Sequence, residues 1–262
     1  MISPTAALQG AEAIAARAAA RLMEMRGGSL EVERKELLDV VTAADLASER
    51  IVLDGLRALT PGIAIVSEEA GTTGATGGPA RWIVDPLDGT VNYAAGLPWF
   101  SVTIAYQEDG ITRAGIVHAP AAGVIARYAA GEIATINERH ARVSERRSLA
   151  DAVVSIVLTS HFDERTVART AEVIRRLGGL ARGVRIVVSG GLELSLVADG
   201  QLDGWISLKA DLVSHAAAVP IVRAAGGRVT RLDGSDAVDE DLERVASNGH
   251  IHHALLKCLR GI

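Results

Sequence analysis

Residues 82–93 read Trp-Ile-Val-Asp-Pro-Leu-Asp-Gly-Thr-Val-Asn-Tyr, a short apolar run followed by two closely spaced acids. The run at 82–84 predicts a buried strand. Pro86 has no N–H to donate, so we expect it to end that strand abruptly. Burying Asp85 beside Asp88 is costly unless a cation or hydrogen-bond donors compensate. Oxygen ligands of this kind suit a hard divalent ion, with Mg²⁺ the leading candidate. The alternative is a polar turn that only ends a strand.

The composition indicates a chain with a large apolar core. Its 262 residues, 48% hydrophobic, suit one large domain or two intimate halves. The net charge of −5 argues against a general nucleic-acid binder, which normally carries a basic face. We therefore expect no nucleic-acid partner. A small anionic substrate stays compatible, because bound metal ions can outweigh the overall charge.

Cys258 is the only cysteine, which excludes an intramolecular disulfide and a thiolate metal cluster. Its apolar surroundings favour a small buried side chain over a catalytic thiol. The sequence shows neither a secretory signal pattern nor an apolar run of membrane-spanning length. We expect a cytoplasmic protein without a membrane partner.

Two helices are predicted in the N-terminal part. Residues 5–25 are rich in alanine and carry an apolar stripe that ends at two glycines. A second helix is expected from Thr42 to about residue 59, because Thr42 and Asp45 have the spacing of an N-cap residue and its reciprocal carboxylate. Asp45 is then only a capping residue, or it also faces a site beyond the helix end.

Glu68 and Glu69 follow a second predicted strand at 63–67. The Gly- and Thr-rich segment 70–79 after them is expected to be a mobile loop. Exposed paired glutamates commonly form a solvated edge. Because the strand at 82–84 also ends in carboxylates, the two strands can instead place their acids around one cavity.

The rest of the chain predicts an antiparallel meander followed by mixed α and β elements. Gly190 and Gly191 lie in a small-residue turn before a helix, which suits an anion. His250, His252 and His253 open the last helix, where solvated histidines are more common than a metal site. Strands are expected at 100–107, 114–118, 124–128, 153–158, 184–188, 202–208, 228–232 and 244–247, and helices at 164–177, 192–198 and 213–225.

Residues 82–93 resemble the signature of the inositol monophosphatase family of Mg²⁺-dependent, lithium-sensitive sugar phosphatases. Supporting stretches are 35–45, 67–69, 216–218 and 225–227, in the family's order and at its spacings. The resemblance spans nearly the whole chain. It implies an α+β fold, a layered α/β/α/β/α sandwich with an antiparallel sheet in the N-terminal half and a mixed sheet in the C-terminal half. It also implies one unit, 1–262, with a metal-bearing half, 1–148, a substrate-side half, 149–262, and usually a homodimer.

The resemblance further implies ligands for two or three Mg²⁺ ions. Glu68, Asp85 and the backbone carbonyl of Leu87 would hold the first ion. Asp85 would bridge to a second ion that Asp88 also holds, and Asp45 would approach a weaker third. Adjacent Mg²⁺ ions can deprotonate water, neutralise phosphate oxygens and stabilise a leaving alkoxide, so oxygen ligands suffice for phosphomonoester hydrolysis.

The other implied roles concern water and substrate. Thr90 would orient the attacking water together with Asp45, and the amides of Gly89 and Thr90 would receive phosphate oxygens. The side chains and amides expected to contact the substrate also include Asp88, Gly190, Gly191, Ser207 and Ser214. No Ser-His-Asp or cysteine-centred arrangement is needed, and none is evident in the sequence.

The chain departs from the family pattern at two positions. Ser214 stands where the family has an aspartate that completes the second metal site, and serine is a much poorer Mg²⁺ ligand. Asp211 is the candidate substitute if the preceding loop is rearranged, or it caps the helix expected near residue 213. His215 suits Mg²⁺ less well. Ser207 stands where inositol-specific members have a hydroxyl-binding glutamate, which weakens the case for inositol phosphate.

The predicted function is Mg²⁺-dependent hydrolysis of a small phosphomonoester, an inositol phosphate or a related sugar or polyol phosphate, by metal-activated water. Histidinol phosphate and a nucleotide 3′-phosphate are alternative substrates. Lys209 or Arg185 would contact a second anionic group, or be an ordinary surface cation. A weakened family member that binds a phosphorylated ligand is the alternative to an enzyme. Ser214 motivates it, and the retained acids argue against it.

Overall fold

The computed structural model describes residues 2–26, 32–34, 40–75, 77–238 and 241–262, with the backbone alone at 32–34 and 40–42. The helices are α1 Pro4–Met25, α2 Ala43–Leu59, α3 Thr90–Ala94, α4 Glu164–Gly178, α5 Gly190–Ala198, α6 Leu212–His215, α7 Ala218–Ala224 and α8 His252–Cys258. The strands are β1 Val32–Arg34, β2 Val40–Thr42, β3 Ala64–Ser67, β4 Gly71–Thr73, β5 Ala80–Asp88, β6 Ser101–Glu108, β7 Ile111–Ala119, β8 Val124–Ala129, β9 Thr135–Ile136, β10 Arg139–His140, β11 Val153–Ile156, β12 Gly183–Arg185, β13 Gly204–Ser207, β14 Arg228–Thr230 and β15 Arg244–Ser247. The motif residues 35–39 and the predicted Thr42 side-chain cap lie outside what is described.

Helix α1 forms where the sequence predicts it. Ser3 caps the helix by accepting a hydrogen bond from the amide of Ala6, and Pro4 lies in the first turn, where an N–H would have no intrahelical partner. Small and apolar side chains such as Ala11, Ala18 and Leu22 form its buried stripe. This stripe packs α1 against α2 and against strands β6 and β7.

The first large sheet has eight strands in the order β10-β9-β8-β7-β6-β5-β3-β4. The predicted antiparallel pairing is confirmed from β5 to β10, but β3 and β5 are parallel, so this sheet is mixed. The prediction that 70–79 is only a loop is wrong, because β4 lies in it and pairs antiparallel with β3. The β4 hairpin returns the chain to the starting end of β3, so β5 runs alongside β3 in the same direction.

The second sheet has five strands in the order β12-β11-β13-β15-β14, and it is mixed as predicted. Helices α1 and α2 cover the outer face of the first sheet, and α5, α6 and α7 lie on its other face. Helices α5 and α7 also contact the second sheet, whose far face packs on α4 and α8. The architecture is therefore α+β, with helical layers outside and between two sheets.

Some predicted elements differ in detail from the observed ones. The helix expected at 213–225 is two short helices, α6 and α7, because Pro220 lacks the N–H that would bond to the carbonyl of Ala216. His252 is buried between Thr230 and Ser247, at 2.8 Å from each hydroxyl, so the prediction of a solvated histidine is wrong there. His250 and His253 are exposed as expected. Cys258 is buried, as predicted.

A shared core joins the two sheets. Ile83 and Val117 of the first sheet lie in one apolar cluster with Leu194 of α5 and Trp205 of the second sheet. This packing is what a single unit requires, and the division at residues 148 and 149 stays a prediction. Within the described part of the chain, no helix combines the length and apolar character needed to cross a membrane.

Candidate functional site

The parallel pairing of β3 with β5 brings the predicted acids together. Ser67 pairs with Val84, so Glu68 and Asp85 leave neighbouring strands at the same edge of the sheet. Both line a cavity of about 650 Å³, and Asp88, Thr90 and Asp211 line it too. The two strand ends therefore meet at one cavity. Of the two alternatives that the sequence left open, this is the shared cavity and not the solvated edge.

Strand β5 continues past the proline that was expected to end it. The ladder with β6 pairs Asp85 with Thr103 and then skips to Asp88 and Ser101. Pro86 lies in this irregularity, where the strand needs no N–H from it. The prediction of an abrupt stop at Pro86 is thus wrong, and the irregularity keeps both acids in one strand.

Two side chains of α2 fix these strand ends, and the sequence interpretation did not include them. Ser48 Oγ donates to the carbonyl oxygen of Pro86 at 2.6 Å. Glu49 Oε1 accepts from Ser67 Oγ at 2.6 Å and from the amide of Ala70 at 2.9 Å, on either side of Glu68. Their spacing offered a signal, because they lie three and four residues after Asp45, one helical turn along the same face.

Glu68 and Asp85 form an acidic pair at the cavity wall, in which Asp85 is buried and Glu68 is exposed to solvent. Desolvation by the surrounding cavity wall, with nearby acids adding to it, raises the pKa of Glu68 to about 7, although its hydrogen bond with Asp85 acts in the opposite direction. Burial and the charges of Glu68, Asp88 and Asp211 raise the pKa of Asp85 well above its usual range. Asp85 accepts from the amide of Leu87 at 3.1 Å and from Ser214 Oγ at 2.8 Å. These donors leave the repulsion between the two acids uncompensated.

The donor set at this pair fits a hard cation. A divalent ion beside Glu68 and Asp85 would offset both the desolvation and the repulsion that raise their pKa values. Leu87 also lines the cavity, and its carbonyl oxygen accepts a hydrogen bond from Thr90 Oγ1. Among the residues that the structure describes, no three His, Cys, Asp or Glu side chains converge closely enough to hold a metal ion. The arrangement is thus a pair of acids and not a completed carboxylate cage.

Asp45 and Thr90 are brought together as the family resemblance implies. Thr90 Oγ1 lies 2.9 Å from Asp45 Oδ1 and 3.0 Å from the carbonyl oxygen of Leu87. Asp45 is buried in the first turn of α2. Gly89 begins α3 with φ +89°, and a Cβ there would lie 2.7 Å from the carbonyl oxygen of Trp99. Glycine therefore lets the chain place Thr90 at the cavity wall.

Asp88 faces the N-terminus of α5. Its carboxylate accepts hydrogen bonds from Gly190 N at 3.1 Å, Gly191 N at 3.0 Å, Ser189 Oγ at 2.7 Å and Ser101 Oγ at 2.8 Å. Burial still raises its pKa to about 6, although these hydrogen bonds lower it. The glycine amides predicted for the substrate thus bond to a carboxylate of the chain. Ser101 and Ser189 were not singled out in the sequence.

Asn92 and Glu193 fix the segment before α5, and neither was predicted. Asn92 Nδ2 lies 2.7 Å from the carbonyl oxygen of Val187, 3.2 Å from that of Val188 and 2.9 Å from that of Trp99. Val188 has φ +61°, an uncommon and strained conformation for a β-branched residue. Glu193 is buried, bonds to the Ser155 hydroxyl and the Ser189 amide, and has its pKa raised to about 7 by burial.

Ser214 and Asp211 contact each other at the start of α6. Asp211 Oδ1 accepts from the amide of Ser214 at 2.7 Å, so Asp211 caps this helix as one alternative predicted. Ser214 Oγ donates to Asp85 Oδ2, which places it beside the acidic pair. His215 is buried and lines the cavity, with its ring edge-on to Trp205 at 4.9 Å.

The predicted substrate contacts are only partly assembled. Ser207 is fully buried at the end of β13 and is not part of the cavity wall, whereas Lys209 is. Lys209 Nζ donates to the carbonyl oxygen of His161 at 3.0 Å. Arg185 is exposed and donates to the carbonyl of Val184 outside the cavity. The chain therefore presents no carboxylate at the position of the family's hydroxyl-binding glutamate.

The chain is similar in sequence and in fold to several known proteins. A protein of Thermotoga maritima named fructose-1,6-bisphosphatase/inositol-1-monophosphatase is 34% identical over 88% of this chain and 87% of its own length. A putative Nus factor SuhB of Neisseria meningitidis is 31% identical over 94% of this chain and 95% of its own. The crystal structure of the extragenic suppressor protein SuhB of Bartonella henselae superposes with a TM-score of 0.91 at 30% identity, over 97% of this chain and 98% of that one. The model of the inositol monophosphatase family matches residues 4–261, and the chain belongs to that family.

Proposed function

We propose that the protein is a Mg²⁺-dependent hydrolase of small phosphomonoesters. The observation that carries the proposal is the pair of acids Glu68 and Asp85, with raised pKa values, which lines one cavity with Thr90, the partner of Asp45. Two carboxylates in contact suit a divalent cation, and a hydroxyl held by a carboxylate suits the control of a water molecule. Family membership agrees with this chemistry, since the family is named for a phosphatase.

Glu68, Asp85 and the carbonyl of Leu87 are the groups that would hold the ion. When bound, Mg²⁺ neutralises phosphate oxygens and makes a bound water more acidic. The hydroxyl of Thr90 has one proton, which goes to Asp45 or to the carbonyl of Leu87. With that proton directed to Asp45, a lone pair of the hydroxyl would accept a hydrogen bond from the attacking water. As the water loses its proton to Thr90, Thr90 would pass its own proton to Asp45, whose carboxylate becomes neutral.

The substrate is proposed as an inositol phosphate or a related sugar or polyol phosphate. The name of the Thermotoga maritima relative, which includes a sugar bisphosphatase and an inositol monophosphatase, supports this class. Ser207 is buried away from the cavity, so its side chain does not contact the hydroxyl groups of a substrate there. Histidinol phosphate and a nucleotide 3′-phosphate therefore stay alternative substrates.

A second candidate function is binding of a phosphorylated ligand or partner with weak turnover. Ser214 in place of a carboxylate favours it, and so do the relatives named Nus factor SuhB. The absence of a nucleic-acid partner, the homodimer, the lithium sensitivity and the cytoplasmic location all stay predictions.

Phosphate release from a panel of phosphomonoesters, with varied Mg²⁺ and Li⁺, tests the proposal. We expect Mg²⁺-dependent release that Li⁺ inhibits, and a fall in kcat of about 10²-fold or more for Thr90→Val, which removes the hydroxyl at nearly constant size. Thr170→Val is the matched control, because its buried hydroxyl bonds within α4 to the carbonyl of Thr166. If no ester released phosphate while the protein still bound its ligand, the proposed enzyme would be rejected and the binding protein favoured.

A further inference from the structure

We infer that the substrate carries an apolar group, such as an aromatic ring, in addition to its phosphate, and that a wall of the cavity formed by the second sheet binds this group. The inference rests on the proposed function and narrows the class of its substrate. The position, the side chains and the hydrogen bonds of that wall carry it.

The second sheet contributes its own wall to the cavity. Strands β11 and β13 are parallel, so the segments that follow them, 157–162 and 209–212, start at the same edge of that sheet. Strand β15 runs antiparallel to β13, and just before β15 the carbonyl oxygen of Leu242 accepts from the amide of Ala210. All three parts line the cavity that contains the acidic pair. We call 157–162, 209–212 and Leu242 the second-sheet wall.

Much of the second-sheet wall consists of apolar side chains. Val157 and Phe162 belong to the core that joins the two sheets, and Leu158 and Leu212 pack against this core while lining the cavity. Leu242 also lines the cavity and is 58% exposed, which is high for a large apolar side chain. Removing such apolar surface from water is favourable. The wall therefore favours a ligand that brings apolar surface of its own.

Three polar side chains of the second-sheet wall already bond to the chain itself. Thr159 Oγ1 accepts from the amide of His161 at 3.3 Å, and Lys209 Nζ donates to the carbonyl oxygen of His161 at 3.0 Å. Asp211 Oδ1 accepts from the amide of Ser214 at 2.7 Å. Substrate hydroxyl groups packed against the leucines would lose their hydrogen bonds to water without a replacement. A ring with hydroxyl groups on every side, such as inositol, therefore suits this wall poorly.

The size of the cavity allows a phosphate and an apolar group to bind together. Its volume of about 650 Å³ lies in the range of about 300–1,000 Å³ that binds drug-sized ligands. Val91 of α3, next to Thr90, is 57% exposed and also lines the cavity, so apolar surface is present beside the phosphate end as well. With phosphate at the acids, the second-sheet wall is left for the rest of the substrate.

Binding of two phosphonates, propylphosphonate and 3-phenylpropylphosphonate, tests the inference without turnover. Their carbon–phosphorus bond is not an ester, and the two compounds differ only in the phenyl ring. Isothermal titration calorimetry with Mg²⁺ present should give a Kd at least about tenfold lower for the compound with the ring, because a single methylene group in an apolar pocket already changes specificity by about 10–200-fold.

Substitutions of Leu242 show whether the second-sheet wall causes this preference. Leu242→Ser should reduce the ratio of the two Kd values by about threefold or more and leave the Kd of propylphosphonate unchanged, because it removes apolar surface only. Leu242→Met, which keeps the side chain apolar, should keep the ratio. Leu180→Ser is the matched control, because Leu180 is 51% exposed and is not part of the cavity wall.

Three results would overturn the inference: equal affinity for the two phosphonates, no detectable binding of the one with the ring, or an unchanged ratio in Leu242→Ser. The phosphate-release panel is a separate measurement. If no ester is hydrolysed while the preference for the ring persists, only the proposed enzyme is rejected. If esters are hydrolysed and the ring gives no advantage in binding, only the role of the second-sheet wall is rejected.

Discussion

Asn92→Leu removes a side-chain amide that lies within hydrogen-bond distance of three backbone carbonyls. The substitution hardly changes the size of the side chain. Nδ2 has two hydrogens, so it satisfies two of the carbonyls of Val187, Val188 and Trp99 at a time. These hydrogen bonds are part-buried, and each carbonyl left without a donor costs at most about 1–3 kcal/mol. Relaxation of Val188 from φ +61° returns part of that, because such strain is of order 1–3 kcal/mol. The expected loss in the free energy of unfolding is about 2–3 kcal/mol.

The same substitution should lower activity through the segment that Asn92 holds. This segment leads directly into Ser189 and Gly190, which donate to Asp88 at the cavity wall. A displacement of about 1 Å at such a position can cost about 10²-fold in rate. We expect kcat/KM for the best ester of the panel to fall by at least about tenfold, in a variant that still folds at room temperature.

Urea unfolding and steady-state phosphate release measure the two effects. Asn137→Gly is the matched control, because it removes an exposed asparagine amide that bonds to the carbonyl of Gly123, and glycine accepts the positive φ of 47° at that position. The control should lose about 1 kcal/mol or less and keep its activity. Equal losses in both variants, or full activity in Asn92→Leu, would refute the positioning role of Asn92.

Three further predictions concern other groups. Ser48→Ala should lower the free energy of unfolding by about 1 kcal/mol and reduce the rise in Tm that Mg²⁺ produces, because Pro86 loses its hydroxyl donor next to Asp85; an unchanged thermal shift would contradict this. Asp211→Asn should raise the Mg²⁺ midpoint of phosphate release by less than about tenfold, since asparagine keeps the helix cap and only a nearby negative charge is lost, and a larger rise would make Asp211 a metal ligand. The pKa of buried His252 is lowered to about 4, so below pH 6.5 the unfolded chain binds a proton that the folded chain does not. Stability should therefore fall as the pH drops from about 6.5 towards 4, and less steeply in His252→Gln, as urea unfolding at several pH values would show.

The acidic pair was predictable because its signal is local. Glu68 and Asp85 each follow directly on a short apolar run, and this pattern predicts an acid at the end of a buried strand. What the sequence did not contain was the parallel pairing of β3 and β5, which depends on the β4 hairpin inside a segment expected to be a loop. The residue types were sufficient to predict an acidic cavity but not to predict the order of the strands around it.

The hydrogen-bond partners of Asp88 could not be predicted, because they carry no local signal in the sequence. Ser101 and Ser189 lie 13 and 101 residues away along the chain, and nothing near either serine marks it as the partner of a carboxylate. They meet Asp88 only because β6 pairs with the end of β5 and α5 starts at the same place. The family motif could therefore identify Asp88 as an important acid while leaving open which of its possible partners it contacts.

Ser214 has both a local sequence signal and a long-range contact that only the structure shows. Its position in a recognisable motif shows that a carboxylate is missing, and that much needs no structure. The structure adds that the hydroxyl donates to Asp85, so the replacement lowers the negative charge of the site and also occupies an oxygen of the remaining pair. Both effects make this part of the cavity less favourable for a cation, and neither removes Glu68, Asp85 or Leu87 from the cavity wall.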